Sequence, residues 1–350
     1  MIADKAAFSQ IDCITFVIMR PRRFATITDC ALYFYPLKHV LVVNFSQTGQ
    51  LTQIAEQFVA PLRAAGHAVH FETLRPQQPF PFPWPVIDFI DAFPECVQLD
   101  APPLQPLSVP DAADFDLVIL CYQVWYLAPA LPMTAFLQSS AGQRLLRGKP
   151  VITVVACRNM WLGAQATMQR LIKAAGGILR DHVAFTDQGH PLATFITTPR
   201  WVLTGKRDRF LGLPPAGVAA EAIRRADRFG KALGDALNQD AERGNDPMLA
   251  GLQAVVVNPR LAISERAGQR AFKVWSRLIR ACGQRGQWRR RPALLLFTIY
   301  LIAMILTVVP TSLLLQWLLS PLLRPRLEQL RAELEQPSGS QDFNLKKYAS

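Results

Sequence analysis

His39-Val40-Leu41-Val42-Val43-Asn44-Phe45 runs directly into Ser46-Gln47-Thr48-Gly49-Gln50-Leu51, and the reading of this junction decides the fold. The first seven residues are a short β-branched run of the kind buried on both faces of a parallel sheet. After the polar loop, Leu51, Ile54, Ala55, Phe58, Val59 and Leu62 recur at helical spacing. The order is therefore strand, loop, helix. Such a junction aims backbone N–H groups and the positive end of a helix dipole at one point, while small hydroxyl residues and a glycine let a phosphate approach. Neither G-x-x-x-x-G-K-[ST] nor G-x-G-x-x-G is present, so triphosphate and dinucleotide loops are excluded. A lysine-free loop of hydroxyl and amide groups suits one terminal monophosphate.

At this point the sequence resembles the flavodoxin family, whose first loop reads [ST]-x-T-G-x-[T] and holds the phosphate of FMN. Ser46, Thr48 and Gly49 match; Leu51 stands where the last threonine is usual, which removes one hydroxyl donor. The resemblance implies that Ser46, Gln47, Thr48, Gly49, Gln50 and Leu51 form the phosphate site.

Outward from the junction, Pro61 should kink the first helix, Gly66 should end it, and Ala68 to Leu74 reads as a second strand. Asp116 to Cys121 and Val151 to Ala156 are two further buried-strand runs, His182 to Thr186 a fifth, and Leu162 to Ala175 and Val218 to Leu237 are helical. The expected fold is α/β, a doubly wound, five-stranded parallel sheet of flavodoxin-like order 2-1-3-4-5, followed by a C-terminal amphipathic and membrane segment. In that order the loops after the first, third and fourth strands converge on the ligand. The second of them is Tyr122 to Pro129 and the third Cys157 to Trp161. Trp125, Tyr126, Met160 and Trp161 are the expected stacking surface for a flat ring; Gln123, Asn159 and neighbouring amides (Val124, Cys157) would bond its polar edge. Arg158 is the single candidate catalytic residue, because a guanidinium near a reduced anionic flavin favours two-electron chemistry; a plain salt bridge is its structural alternative. The long Pro-aromatic insertion Arg75 to Pro110 suggests a lid over an apolar substrate.

The formal charge of +12 is local. Residues 38–240 hold 18 Lys and Arg against 16 Asp and Glu, whereas 260–291 hold ten against one. Ile263, Ala267, Ala271, Val274 and Leu278 share one helical face, with Arg266, Arg270, Lys273, Arg277 and Arg280 beside them. An uncharged run from Pro292 to Leu323 follows, interrupted by Pro310 and flanked by arginines at both ends. It is long enough for a bilayer, and the positive-inside rule favours a re-entrant hairpin turning near Pro310 over a single kinked span. The expected partner is membrane lipid rather than nucleic acid, and the expected location is the cytoplasmic face of a bacterial inner membrane, anchored through 292–323. The organisation reads as a 1–37 extension without secretory character, in which Met19 could serve as an alternative start, a 38–240 FMN-binding domain, a 241–291 linker and basic helix, the 292–323 membrane segment, and a 324–350 polar tail. Six scattered cysteines and five histidines make neither a disulfide framework nor a metal site, and Cys121 and Cys157 read as small buried hydrophobes.

A narrower resemblance covers roughly residues 38–337. Ser46 to Leu51, Phe80 to Trp84, Phe93 to Glu95, Ala156 to Trp161, Asp246 to Leu252 and Gln336 to Gly339 look like the flavodoxin-like proteins of dialkylresorcinol and aryl-polyene type lipid pathways, often labelled dialkylresorcinol condensing enzymes. That resemblance implies oxidation, and so aromatisation, of a cyclic diketone supplied by a pathway ketosynthase. Claisen condensation itself needs an activated cysteine with His or Asn partners, and no such arrangement is legible. The expected function is a membrane-associated FMN-dependent oxidoreductase on a small apolar substrate, with NAD(P)H or oxygen as co-substrate. Its alternatives are a tethered electron carrier and a flavin-free scaffold.

Overall fold

Strand β1 (His39–Asn44) buries five of its six residues, because helices cover both faces of the sheet it nucleates. The structure, a computed structural model, describes residues 37–348 apart from 111, 308–310 and 312–319. The N-terminal extension and Met19 lie outside the described residues. β2 (Ala68–Thr73) pairs in parallel with β1, in the register His39 to Ala68. β3 (Leu117–Trp125) lies along the other edge of β1, with Val40 beside Leu117. The short β4 (Ala128–Pro129) pairs antiparallel with β3; β5 (Pro150–Cys157) and β6 (Ile178–Thr186) continue the parallel sheet. The order is β2-β1-β3-β5-β6, so the parallel strands run 2-1-3-4-5 in order of appearance, the flavodoxin-like arrangement.

The sheet has six strands rather than five. β3 does not stop at Cys121. It continues to Trp125 and doubles back through Tyr126 and Leu127, both left-handed at φ 50° and 62°, so that Trp125 pairs with Ala128. Two consecutive positive-φ residues make the tight turn whose twist matches a hairpin. Residues read from the sequence as a loop are therefore strand.

Helix α1 (Gln50–Ala64) buries Leu51, Ile54, Ala55, Phe58, Val59 and Leu62, the face its spacing predicts, and passes through Pro61 to end before Gly66 at φ 90°. Within the 75–110 insertion, α2 (Val86–Asp91) and α3 (Phe93–Gln98) bury Phe80, Trp84 and Phe93, so the insertion is a packed unit and not an open loop. α4 (Leu131–Gln138) and α5 (Ser140–Leu146) link β4 to β5, and α6 (Leu162–Ala174) links β5 to β6. α7 (Thr194–Thr204) follows β6. The closing helix expected over 218–237 is two pieces, α8 (Ala220–Arg224) and α9 (Asp227–Asn238). At the break Ala226 is fully buried, and the Arg228 guanidinium donates to the carbonyl of Arg225.

The chain then returns to the sheet. Ala184 of β6 donates to the carbonyl of Ala254, and Val255 and Gln253 donate to those of Gly339 and Gln341. Asp181, fully buried, accepts from the backbone N–H groups of Met248 (2.8 Å) and Leu249 (3.1 Å) and from Ser338 Oγ (2.8 Å). The segments 246–252 and 336–339 thus meet at one carboxylate and serve the fold.

α10 (Pro259–Ala281) and α11 (Arg291–Leu306) pack on each other, with Phe297 beside Phe272 and Trp275, and Tyr300 beside Trp275. α12 (Ser320–Leu334) and α13 (Leu345–Tyr348) complete the described chain. Among the described residues no helix is long and apolar enough to cross a membrane. α11 by itself is no span: its 16 residues rise about 24 Å, short of the roughly 30 Å of a hydrocarbon core. Pro310 and the turn expected there lie outside the described residues.

Candidate functional site

The loop after β1 is held open by its own side chains. Ser46 Oγ accepts the N–H of Leu51 at 3.2 Å, and Leu51 turns its side chain wholly into the core. The hydroxyl missing at this position is therefore exchanged for packing. Gly49 sits at φ 79° with nothing near the place a Cβ would take, so its role is conformational. The Gln47 N–H donates to Gln123 Oε1 at 2.9 Å, tying the loops after β1 and at the end of β3 together. Gln50 makes a reciprocal pair with Val218, its Nε2 donating to the carbonyl (3.2 Å) and its Oε1 accepting the N–H (2.9 Å). Among the described residues no protein acceptor takes the N–H groups of Thr48, Gly49 or Gln50. Three unpartnered donors at the positive end of a 15-residue helix form an anion cradle.

Thr48, Gln47 and Gln50 line one side of a cleft of about 200 Å³ at the carboxyl ends of the strands. The end of β3 contributes Gln123, Val124, Trp125 and Tyr126; the end of β5 contributes Ala156, Cys157 and Arg158. This is where ligands lie in open parallel sheets. Trp125 meets Phe45, Phe80 and Trp84 edge-on, with ring centroids 5.7, 5.0 and 5.4 Å away. Tyr126 donates its hydroxyl to the Phe89 carbonyl and packs on Phe93. Gln47 Nε2 donates to the carbonyls of Phe80 (3.1 Å) and Pro81 (2.6 Å), so the insertion is fastened to the anion loop itself.

Arg158 lies over the Phe195 ring at 3.8 Å. Burial brings its guanidinium down to about 10, against the opposing pull of Asp187, so it remains a cation at neutral pH. Asp187 accepts the N–H groups of Gly189 and Gly217, and burial raises its carboxyl. The Cys157 thiol is also pushed up by burial, which leaves no thiolate for covalent work.

Of the residues expected at the site, the structure brings together Gln47, Thr48, Gln50, Gln123, Val124, Trp125, Tyr126, Cys157 and Arg158. Ser46, Gly49 and Leu51 shape the loop from behind. Asn159, Met160 and Trp161 do not line the cleft: Asn159 bonds Thr194 at 3.5 Å, and Trp161 is buried against His182 at 4.8 Å. The stacking surface expected from Met160 and Trp161 is thus corrected. The third loop turns down onto β6, and apolar walls come instead from Trp84 and Phe89 of the insertion and from Trp201 and Val202 of α7. Thr198 also lines the cleft, its Oγ1 buried and without a partner. The insertion's aromatics were a visible signal for the first pair. α7 follows β6 without any motif, and nothing in the sequence pointed to it.

Among the described residues no group of His, Cys, Asp and Glu could hold a metal ion. No protein-family model matches the chain, and no curated protein matches it in sequence. Solved structures similar to it include a flavoprotein from Lactobacillus acidophilus in complex with FMN (16% identity, 42% of this chain and 93% of that one, TM-score 0.35). A flavodoxin from the domain Archaea is similar at 10% identity over 57% of this chain and 98% of that one, TM-score 0.32. RosB, bound to 8-demethyl-8-formylriboflavin-5'-phosphate, is similar at 8% identity over 67% and 87%, TM-score 0.32. The fold assignment rests on strand order and register.

Proposed function

We propose that this chain is an FMN-dependent oxidoreductase acting on a small, apolar, lipid-like cyclic or quinoid substrate. The observation that carries the reading is the coincidence of three unpartnered N–H donors, Thr48 to Gln50, with a cleft walled by Trp84, Trp125 and Trp201. A terminal phosphate fits the cradle, since backbone donors at a helix start need no lysine. The aromatic walls suit a flat ring, and the orphaned Thr198 hydroxyl supplies a further donor. Bound there, the flavin would supply the redox chemistry. The protein's part is to orient it through Gln47, Thr48, Gln50 and Gln123, to exclude water with the insertion, and to hold a positive charge at Arg158.

The narrower proposal is oxidation and aromatisation of a cyclic diketone in dialkylresorcinol-type lipid synthesis, beside a ketosynthase, with oxygen as the acceptor of the two electrons that leave the ring; NAD(P)H is the co-substrate of the opposite sense, reduction of a quinoid substrate. Its support is the resemblance of the 46–51, 80–84 and 156–161 segments together with the apolar cleft. Placement on the cytoplasmic face of a bacterial inner membrane belongs to the same reading. An electron carrier is the weaker reading, because the α/β domain lacks the strong acidity such carriers use to meet partners.

The test is titration of the purified full chain with FMN. Uptake at micromolar concentration with a shifted flavin spectrum is expected. A correctly folded protein that takes up no FMN overturns the redox assignment; a stable one-electron state with slow NADPH reduction turns it toward the carrier.

A further inference from the structure

The hairpin of α10 and α11 turns an apolar stripe away from the protein on both helices. On α11, Leu294 and Phe297 are buried against Phe93, Phe272 and Ile279, while Leu295, Ile299, Ile302 and Leu306, spaced i, i+4, i+7, i+11, are each more than half exposed. On α10, Phe272, Ser276 and Ile279 face the domain, and Val274 and Leu278 point outward at 57% and 54% exposure. Arg266, Arg270, Lys273 and Arg277 repeat the spacing of that outer stripe one residue earlier, about 100° around the helix, and all four are exposed. From residue 266 to 327 the sequence holds eleven arginines and lysines and no acid.

From this we infer that the α10–α11 hairpin is an interfacial docking face for an anionic phospholipid bilayer, lying in the membrane plane with its apolar stripe in the acyl boundary and its cations among the headgroups. An exposed apolar stripe bordered by a single sign of charge is the signature of helices that lie on membranes. The charge also selects the occupant. Arg280 and Arg290 are paired with Asp100 and with Asp91 and Glu95, but a second copy of the chain would bring its own exposed Arg266, Arg270, Lys273 and Arg277 against these four, which disfavours self-association through this face. An acidic lipid surface matches both the apolar stripe and the positive border. The inference deepens the proposed membrane placement and makes no use of flavin binding.

The hairpin is not a loose anchor. Phe297 stacks on Phe93 of α3 at 4.0 Å, and Phe93 packs on Tyr126 of the cleft, so the bilayer would lie against the unit that walls the site.

The experiment is co-sedimentation of the full chain with vesicles of phosphatidylcholine alone and with 30% phosphatidylglycerol, at low and high salt. We expect binding to the anionic vesicles only, weakened at least tenfold by high salt and by the exposed double substitutions Leu295→Asp with Ile299→Asp or Arg270→Glu with Arg277→Glu. Release by alkaline carbonate is expected of a docked protein. Three results would overturn the inference: folded protein that stays in the supernatant with every vesicle, retention after carbonate treatment, or a dimer that Leu295→Asp with Ile299→Asp dissolves without vesicle binding. FMN titration of the same preparation separates these from failure of the redox reading.

Discussion

Thr48 stands at the centre of the cradle, and a carboxylate placed there would meet the same three N–H groups that a phosphate needs. Thr48→Glu should therefore weaken FMN at least a hundredfold while leaving the unfolding midpoint unchanged, read by flavin fluorescence and urea titration side by side; retained FMN affinity would displace the phosphate from this loop. Thr198 offers a finer probe. Its hydroxyl is buried without a partner on the same cleft, and the loop lost a hydroxyl when Leu51 took the core position. Thr198→Val should weaken FMN about tenfold, the loss of one hydrogen bond to a charged group, but leave riboflavin nearly unaffected. Equal losses for both ligands would place Thr198 away from the phosphate. Glu265 titrates within the fold: it accepts the Gly163 N–H at 2.7 Å at the start of α6, and burial raises its carboxyl to about 7. Because the folded protein then binds more protons than the unfolded chain between about pH 4.5 and 7, this residue's contribution to stability falls as pH rises through that window. Glu265→Gln keeps an acceptor and removes the titration. Its stability relative to the wild type should rise from pH 5 to pH 8 by about 1 kcal/mol or more, and parallel urea midpoints at the two pH values would refute the assignment.

Helices α1 and α9 meet where a side chain has no room. A Cβ on Gly230 would fall 1.9 Å from the carbonyl oxygen of Phe58, one turn from Pro61, and Phe58 stacks on Phe229 at 5.7 Å. Since the obstacle is backbone, Gly230→Ala must spread the two helices, and overpacking of this kind costs about 1–3 kcal/mol. Thermal unfolding checks it; a stabilised variant would mean that α9 moves freely. The contact also shows what a sequence reading can reach. The α1 face, the starts of the first four parallel strands and the parallel order were legible, because buried parallel strands and an amphipathic helix write their environment into local spacing; the last strand begins at Ile178, four residues before the expected His182. The end of β3 was not, since Tyr126 and Leu127 take left-handed φ without the Asn or Gly that usually announces such a turn. Nor was the downward course of 159–161. Trp161 carries the same side chain whether it faces a ligand or His182, and only the tertiary fold separates the two.

At the scale of the whole molecule, one arginine joins the basic C-terminal third to the cleft. Arg290 is fully buried. It bonds the carboxylate and carbonyl of Asp91, and its two Nη atoms lie 2.8 and 2.9 Å from the Glu95 oxygens. Gly286 adds its N–H to Asp91 at 2.7 Å. The same insertion supplies Trp84 and Phe89 to the cleft and is held to the anion loop by Gln47, so hairpin, insertion and cradle form one chain of packed contacts. Charges buried this deeply stabilise little in net terms, yet removing one partner strands the others. Arg290→Met should thus cost about 3–5 kcal/mol, far more than a surface arginine, and Arg290→Met combined with Asp91→Asn and Glu95→Gln should recover a large part of it. If the insertion is the wall that the hairpin supports, the single variant should also weaken FMN at temperatures where it is still folded, and the triple variant should regain affinity along with stability. Loss of stability with unchanged FMN affinity would show instead that the clamp serves only the hairpin, and that the cleft keeps its shape without it.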